Sequence, residues 1–170
     1  MEAKGIDVQT NDQYRYDGCE DAICLSVEFP NYKMFYKLRQ ENTSVKWAVL
    51  ELRASLICDL DCVFCHDNAG SAKVYNIPLE DRMDKRAFEK MFDELCDGPS
   101  RKKLGIDSWY PTNPQAEILV FDKIPTSYFH SIFFDDYETL NEYKAVIPPS
   151  INAKVDRSAF SYRKDWEFWR

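Results

Sequence analysis

Two stretches of the chain carry residue types that could do chemistry. One is the thiol run Cys58-Asp59-Leu60-Asp61-Cys62-Val63-Phe64-Cys65-His66, and the other is Tyr110-Pro111-Thr112-Asn113-Pro114-Gln115-Ala116-Glu117-Ile118-Leu119-Val120-Phe121. Thiolates and imidazole are metal ligands, so zinc held by Cys58, Cys62, Cys65 and His66 is one reading. Ligands adjacent at 65 and 66 are, however, hard to aim at one tetrahedral ion. The plainer reading makes Cys58 and Cys62 small buried residues and Cys65 an ordinary thiol. In the second stretch two prolines and an Asn rule out regular structure before Gln115. The chain therefore enters a strand from a rigid loop, and Glu117 stands at the strand's beginning with Leu119 on its face. If that face is core, a carboxylate is costly there unless it meets a partner or a ligand. A Glu on an exposed strand edge is the alternative.

The C-x3-C-x2-C spacing of Cys58, Cys62 and Cys65 also resembles the cluster loop of radical S-adenosylmethionine enzymes, where three thiolates hold an iron–sulfur cluster. That family builds a large partial barrel of repeated strand and helix units, with a Gly-rich motif soon after the cluster. The sequence beyond Cys65 holds one clear helical pattern and no such motif. Reduced thiols are therefore expected, with no metal.

These stretches must be positioned by a single domain spanning 1–170, since 170 residues leave little room for a second. A hydrophobic content of 45% and an aromatic content of 15% supply a core and argue against general disorder. No apolar run could cross a bilayer, and Met1-Glu2-Ala3-Lys4-Gly5 lacks the apolar stretch of a secretory signal, so a soluble cytoplasmic protein is expected with no membrane partner. Alternation of Ile23, Leu25, Val27 and Phe29 up to Pro30-Asn31 predicts a strand ended by a turn. Lys33 to Arg39 predicts a short helix with Met34 and Leu38 on one side. Trp47 to Leu52, Ile118 to Phe121 and Ile132 to Phe134 read as further strands, with a short helix around Thr126 to Phe129. Phe88, Met91, Phe92 and Leu95 recur at helical steps after Asp84, predicting a helix from Asp84 to Leu95 closed by Gly98-Pro99. Strands thus outnumber helices, and an α+β domain on a mixed or antiparallel sheet with flanking helices is expected. The aromatic tail Trp166-Glu167-Phe168-Trp169 should pack back on the body or on a partner.

Gln115 to Val120, followed by Lys123-Ile124-Pro125, resembles the motif of DarT-type toxins, NAD-dependent ADP-ribosyltransferases in which the Glu of a Gln-Ala-Glu strand is catalytic. Val63-Phe64-Cys65-His66-Asp67-Asn68-Ala69 resembles the Phe-to-Asn-Ala stretch before that family's central helix. Arg15, ahead of the strand that leads to Phe29-Pro30-Asn31-Tyr32-Lys33-Met34-Phe35-Tyr36, is similar to an Arg that the family places beside NAD. The likeness runs from Arg15 to Phe134 and absorbs the cysteine run as framework. It implies an ADP-ribosyltransferase-like fold and transfer of ADP-ribose from NAD, as substrate, to a base in single-stranded DNA, with an antitoxin protein as partner. Glu117 and Arg15 are then the catalytic residues, and Arg15, Ser26, Asn68 and Gln115 contact NAD. Tyr32, Phe35, Tyr36, Trp109 and Tyr110 are candidate surfaces for a stacked base.

The sequence departs from the family in one respect. Members begin with a His-containing segment that contributes to the NAD site, yet no His precedes His66, so this N-terminal part is expected to be missing. A non-catalytic module that keeps the scaffold stays open beside the iron–sulfur alternative. A net charge of −7 also demands that any DNA contact be local, through groups such as Lys33, Lys37 and Arg39, Arg101-Lys102-Lys103, or Arg157, Arg163 and Lys164.

Overall fold

The computed structural model describes residues 18, 19, 21–121 and 123–169. The first alternating segment forms β1 (Ile23–Ser26). It stops short of Phe29 because Glu28 takes a left-handed φ of 61°, and the Phe29 N–H closes a three-residue turn on the Val27 carbonyl at 2.7 Å. Asn31 then caps α1 (Tyr32–Glu41), its side chain accepting from the Met34 N–H. Met34 is exposed while Tyr32 is buried, and Phe35 packs edge-on against Trp47. The inward face of α1 is therefore the one that carries Tyr32 and Phe35.

The chain continues through β2 (Ala48–Leu52), α2 (Leu56–Asp59), β3 (Cys62–Cys65) and α3 (Ala72–Tyr75) to α4 (Lys85–Lys90) and α5 (Arg101–Leu104). After them come β4 (Glu117–Val120), β5 (Phe129–Phe134), α6 (Tyr137–Tyr143) and β6 (Asn152–Val155). Helix α4 starts where expected, with Asp84 accepting from the Ala87 N–H at 2.8 Å, but ends well before Leu95. The cause is a competing partner: the Met91 carbonyl accepts from the Thr112 N–H at 2.9 Å, and the Asp93 carbonyl accepts from the Thr112 hydroxyl at 2.7 Å. Met91 is buried all the same.

The α+β class holds, as two small sheets. One is antiparallel in the order β1-β4-β3, and the other is mixed, β2-β5-β6, with β5 and β6 parallel. Strands do not outnumber helices among the described residues, where six strands stand beside six α-helices and five 3-10 turns. Most of these helices are one or two turns long, too short for a period to show in sequence. The central strand β4 separates two apolar clusters. Leu119, Val63, Cys65, Ala69 and Val74 form one; Ile118, Val120, Cys62, Phe64, Leu56 and Met91 form the other. The C-terminal aromatics return to α1, since Trp166 stacks on Tyr162 and Tyr162 meets Tyr32. No described helix is long and apolar enough to cross a membrane.

Candidate active site

Glu117 opens β4, the middle strand, directly opposite Ser26 on β1 and Cys65 on β3. Opposed residues share a sheet face, so Ser26, Glu117 and Cys65 form one row beside the row Cys24, Leu119 and Val63. Leu119 is completely buried, and Glu117 next to it is half-buried. The partner that such a carboxylate requires is present. Its Oε1 accepts from the Asn68 side-chain amide and from the Ala69 N–H at 3.3 Å. Asn68 is itself fixed, its Oδ1 accepting from the Gly70 N–H at 3.1 Å and its own N–H donating to Asp67 at 2.8 Å. The loop after β3 thus folds over the mouth of the sheet and sets the carboxylate's orientation.

The structure brings Ser26, Asn68 and Glu117 together. The Ser26 hydroxyl oxygen accepts from the Asn31 N–H at 3.0 Å, which ties β1 to the start of α1. Gln115 is half-buried in the turn before β4, its N–H bonded to the Asn113 side chain at 2.9 Å. Arg15 lies outside the described residues.

The rigidity read from the prolines at 111 and 114 has a stronger source. Arg101 donates to the Tyr110 carbonyl at 2.9 Å and to the Thr112 hydroxyl at 2.7 Å. From the other side Arg163 donates to the carbonyls of Pro111 at 2.8 Å and Thr112 at 3.0 Å. Arg163 is only 2% exposed and Asp165 1%. They form a two-pronged pair at 2.6 Å on each prong, and the Trp169 indole donates to Asp165 at 2.7 Å. Two guanidiniums therefore hold the loop that delivers Glu117. The only sequence signal for this was a basic residue two positions before an acid in an aromatic tail.

The thiols do not gather. Cys62 and Cys65, three apart on a strand, fall in the apolar clusters on opposite faces of the sheet. Cys58, expected to be buried, is exposed, whereas Cys65 is buried. No group of three or more His, Cys, Asp or Glu among the described residues could hold a metal ion. Burial, then Asp61 and Cys58, push the Cys62 thiol up, which keeps it protonated. His66 is pushed down, first by burial and next by Lys90, so its imidazole is neutral at physiological pH. Of the candidate stacking rings Tyr32 is buried, and Phe35 packs on Trp47 and Phe160. Trp109 is exposed at 55%, beside Tyr110.

The chain's likenesses to known proteins bear on its family and its fold. The model of the family described as ssDNA thymidine ADP-ribosyltransferase, DarT, matches residues 28–168. No curated protein matches. Among solved structures, Thermosipho africanus DarTG in complex with ADP-ribose is 17% identical with a TM-score of 0.55, covering 82% of this chain and 36% of its own. Thermus sp. 2.9 DarT in complex with carba-NAD+ is 14% identical with a TM-score of 0.50, covering 83% of this chain and 74% of its own. This chain thus spans about a third of the first and three quarters of the second. At such identities these two show the fold.

Proposed function

The chain belongs to the DarT family of single-stranded-DNA thymidine ADP-ribosyltransferases, and from that premise we propose that it moves ADP-ribose from NAD to thymidine in single-stranded DNA with Glu117 as its catalytic carboxylate. The bond between nicotinamide and the ribose C1′ breaks, nicotinamide leaves with the electron pair, and a thymine atom bonds to C1′ as the base gives up a proton. Positive charge develops on the ribose as the first bond lengthens. Glu117, oriented by Asn68 and Ala69, stabilises that charge and accepts a hydrogen bond from the ribose 2′-hydroxyl. Ser26, opposite Glu117 in the sheet, and Asn68 and Gln115 are the proposed polar contacts to NAD. Arg15 is assigned the pyrophosphate, whose oxygens suit a guanidinium's paired donors.

One observation carries this reading: a half-buried carboxylate at the mouth of a central strand, held by a side-chain amide and a backbone N–H. The chain acts in this proposal as one domain and as the toxin of a toxin–antitoxin pair. An antitoxin protein is its partner, and the cytoplasm, where NAD meets DNA, its place of action. The test supplies NAD and a thymidine-containing single-stranded oligonucleotide and follows the oligonucleotide by mass. A gain of one ADP-ribose is expected, and Glu117→Ala should lower the rate by roughly a hundredfold or more, the scale of losing a main electrostatic stabiliser. An unchanged rate in the mutant removes Glu117 from the mechanism.

A further inference from the structure

Arg82 is 4% exposed, yet no carboxylate among the described residues pairs with it. Its Nη1 donates to the Cys65 sulfur at 3.4 Å, a weak acceptor, and its Nε is buried with no partner. A cation withdrawn from water with so little in return is costly unless an anion completes it. The contrast with Arg163, buried to the same degree but matched to Asp165, shows what a satisfied guanidinium looks like in this fold.

The residue also lines a cleft of about 320 Å³, together with Phe64, His66, Asp84, Arg86 and Lys90. β3 is an outer strand of its sheet, so the cleft runs along that edge, and Cys65, which Arg82 touches, stands directly opposite Glu117. The lining carries three cations, Arg82, Arg86 and Lys90, against three acids, Glu80, Asp81 and Asp84, and of these six only Arg82 is buried. Of the cleft's acids Asp84 is committed to the Ala87 N–H, and Glu80 and Asp81 are exposed.

We propose that this cleft holds a phosphodiester group of the acceptor DNA strand, with Arg82 as the buried anchor and the exposed Arg86 and Lys90 as outer contacts. The inference rests on the transferase reading above. In that reading NAD lies over Glu117 between Ser26 and Asn68, and the cleft of Arg82, reached past Cys65 at the outer edge of β3, is left to the strand being modified.

The test measures binding of a thymidine-containing single-stranded oligonucleotide to the full chain without NAD across a series of salt concentrations. For Arg82→Gln and for Lys90→Ala the slope of log affinity against log salt should flatten by about 0.7 for each phosphate that is no longer neutralised. Affinity should fall roughly tenfold, as for loss of one hydrogen bond to a charged group. Arg82→Lys should keep most of the slope, and the rise in melting temperature that NAD produces should be the same in all variants. If burial makes Arg82→Gln fail to fold, Lys90→Ala, a change at an exposed side chain, decides alone. Wild-type slope and affinity in Lys90→Ala overturn the proposal. So does loss of the NAD effect with DNA binding intact, which would give the cleft to the NAD pyrophosphate. A wild-type chain that binds no single-stranded DNA overturns both this proposal and the transferase reading on which it rests.

Discussion

At the scale of single residues, the bond from Asn68 to Glu117 asks most of its surroundings. Asn68 is pinned by Gly70 and Asp67, so its amide reaches the carboxylate already oriented. Asn68→Ala leaves Glu117 the Ala69 N–H and lets the carboxylate rotate. The transfer rate constant should drop by about tenfold to a hundredfold, and KM for NAD should rise by a smaller factor, as expected when a residue that contacts NAD also orients the group acting in the transition state. Asn68→Asp sets a second carboxylate against the first and should cost more than the alanine. If Asn68→Asp transfers as fast as the wild-type chain, the bond has no part in catalysis. Tyr32 offers a test of stability instead. Its hydroxyl is buried without a partner, and burial, then Asp165, raise its pKa from 10.0 to about 12, with Arg163 opposing. The fold favours the neutral phenol, so the contribution is complete below pH 10.0 and is lost as pH rises toward 12. Tyr32→Phe should match or exceed the wild-type melting temperature at neutral pH, since no bond is broken, and should lose less stability between those two pH values. Parallel decline in both proteins would show that Tyr32 does not titrate there.

Elements show which parts of the fold a sequence declares. β1 was legible by the alternation of its apolar residues, β2, β4 and β5 as short apolar runs, and Asp84 announced the start of α4. β3 was hidden because two of its four buried residues are cysteines, which read as ligands until their opposite faces were known. The end of α4 was hidden for a different reason, because Thr112, distant in sequence, takes the carbonyls that a longer helix would use. The site divides in the same way. Glu117 and Asn68 each stood out by motif, but nothing local links residues 49 positions apart, and neither Arg82 nor the clamp of Arg163 has a periodic signature. That clamp is where an element-scale change should be felt most. Asp165→Asn leaves Arg163 buried without its countercharge, and breaking such a pair costs about 3–5 kcal/mol. A clear fall in the urea midpoint is expected. Arg163→Met combined with Asp165→Leu, which removes both charges, should recover part of the loss. A midpoint unmoved in Asp165→Asn would mean that the pair does not hold the loop before Glu117.

For the molecule as a whole, the question is whether the scaffold binds its substrate or only resembles proteins that do. The net charge of −7 makes general attraction to nucleotides a poor explanation of any binding, so stabilisation by NAD would report a formed site. A ligand that binds only the folded chain adds about 2.7 kcal/mol at a hundredfold its Kd. For a chain of 170 residues that corresponds to a rise in melting temperature of roughly 5–10 °C. The wild-type chain should show this rise as NAD increases, and Glu117→Ala should keep most of it. The carboxylate's contact with the ribose hydroxyl contributes to holding NAD, but its larger effect arises only as the ribose becomes cationic. Binding and turnover are thereby separated in one protein: a mutant that still melts higher with NAD yet no longer marks DNA places Glu117 in the chemical step. A melting temperature that stays flat in the wild-type chain would leave the ADP-ribosyltransferase fold without the reaction.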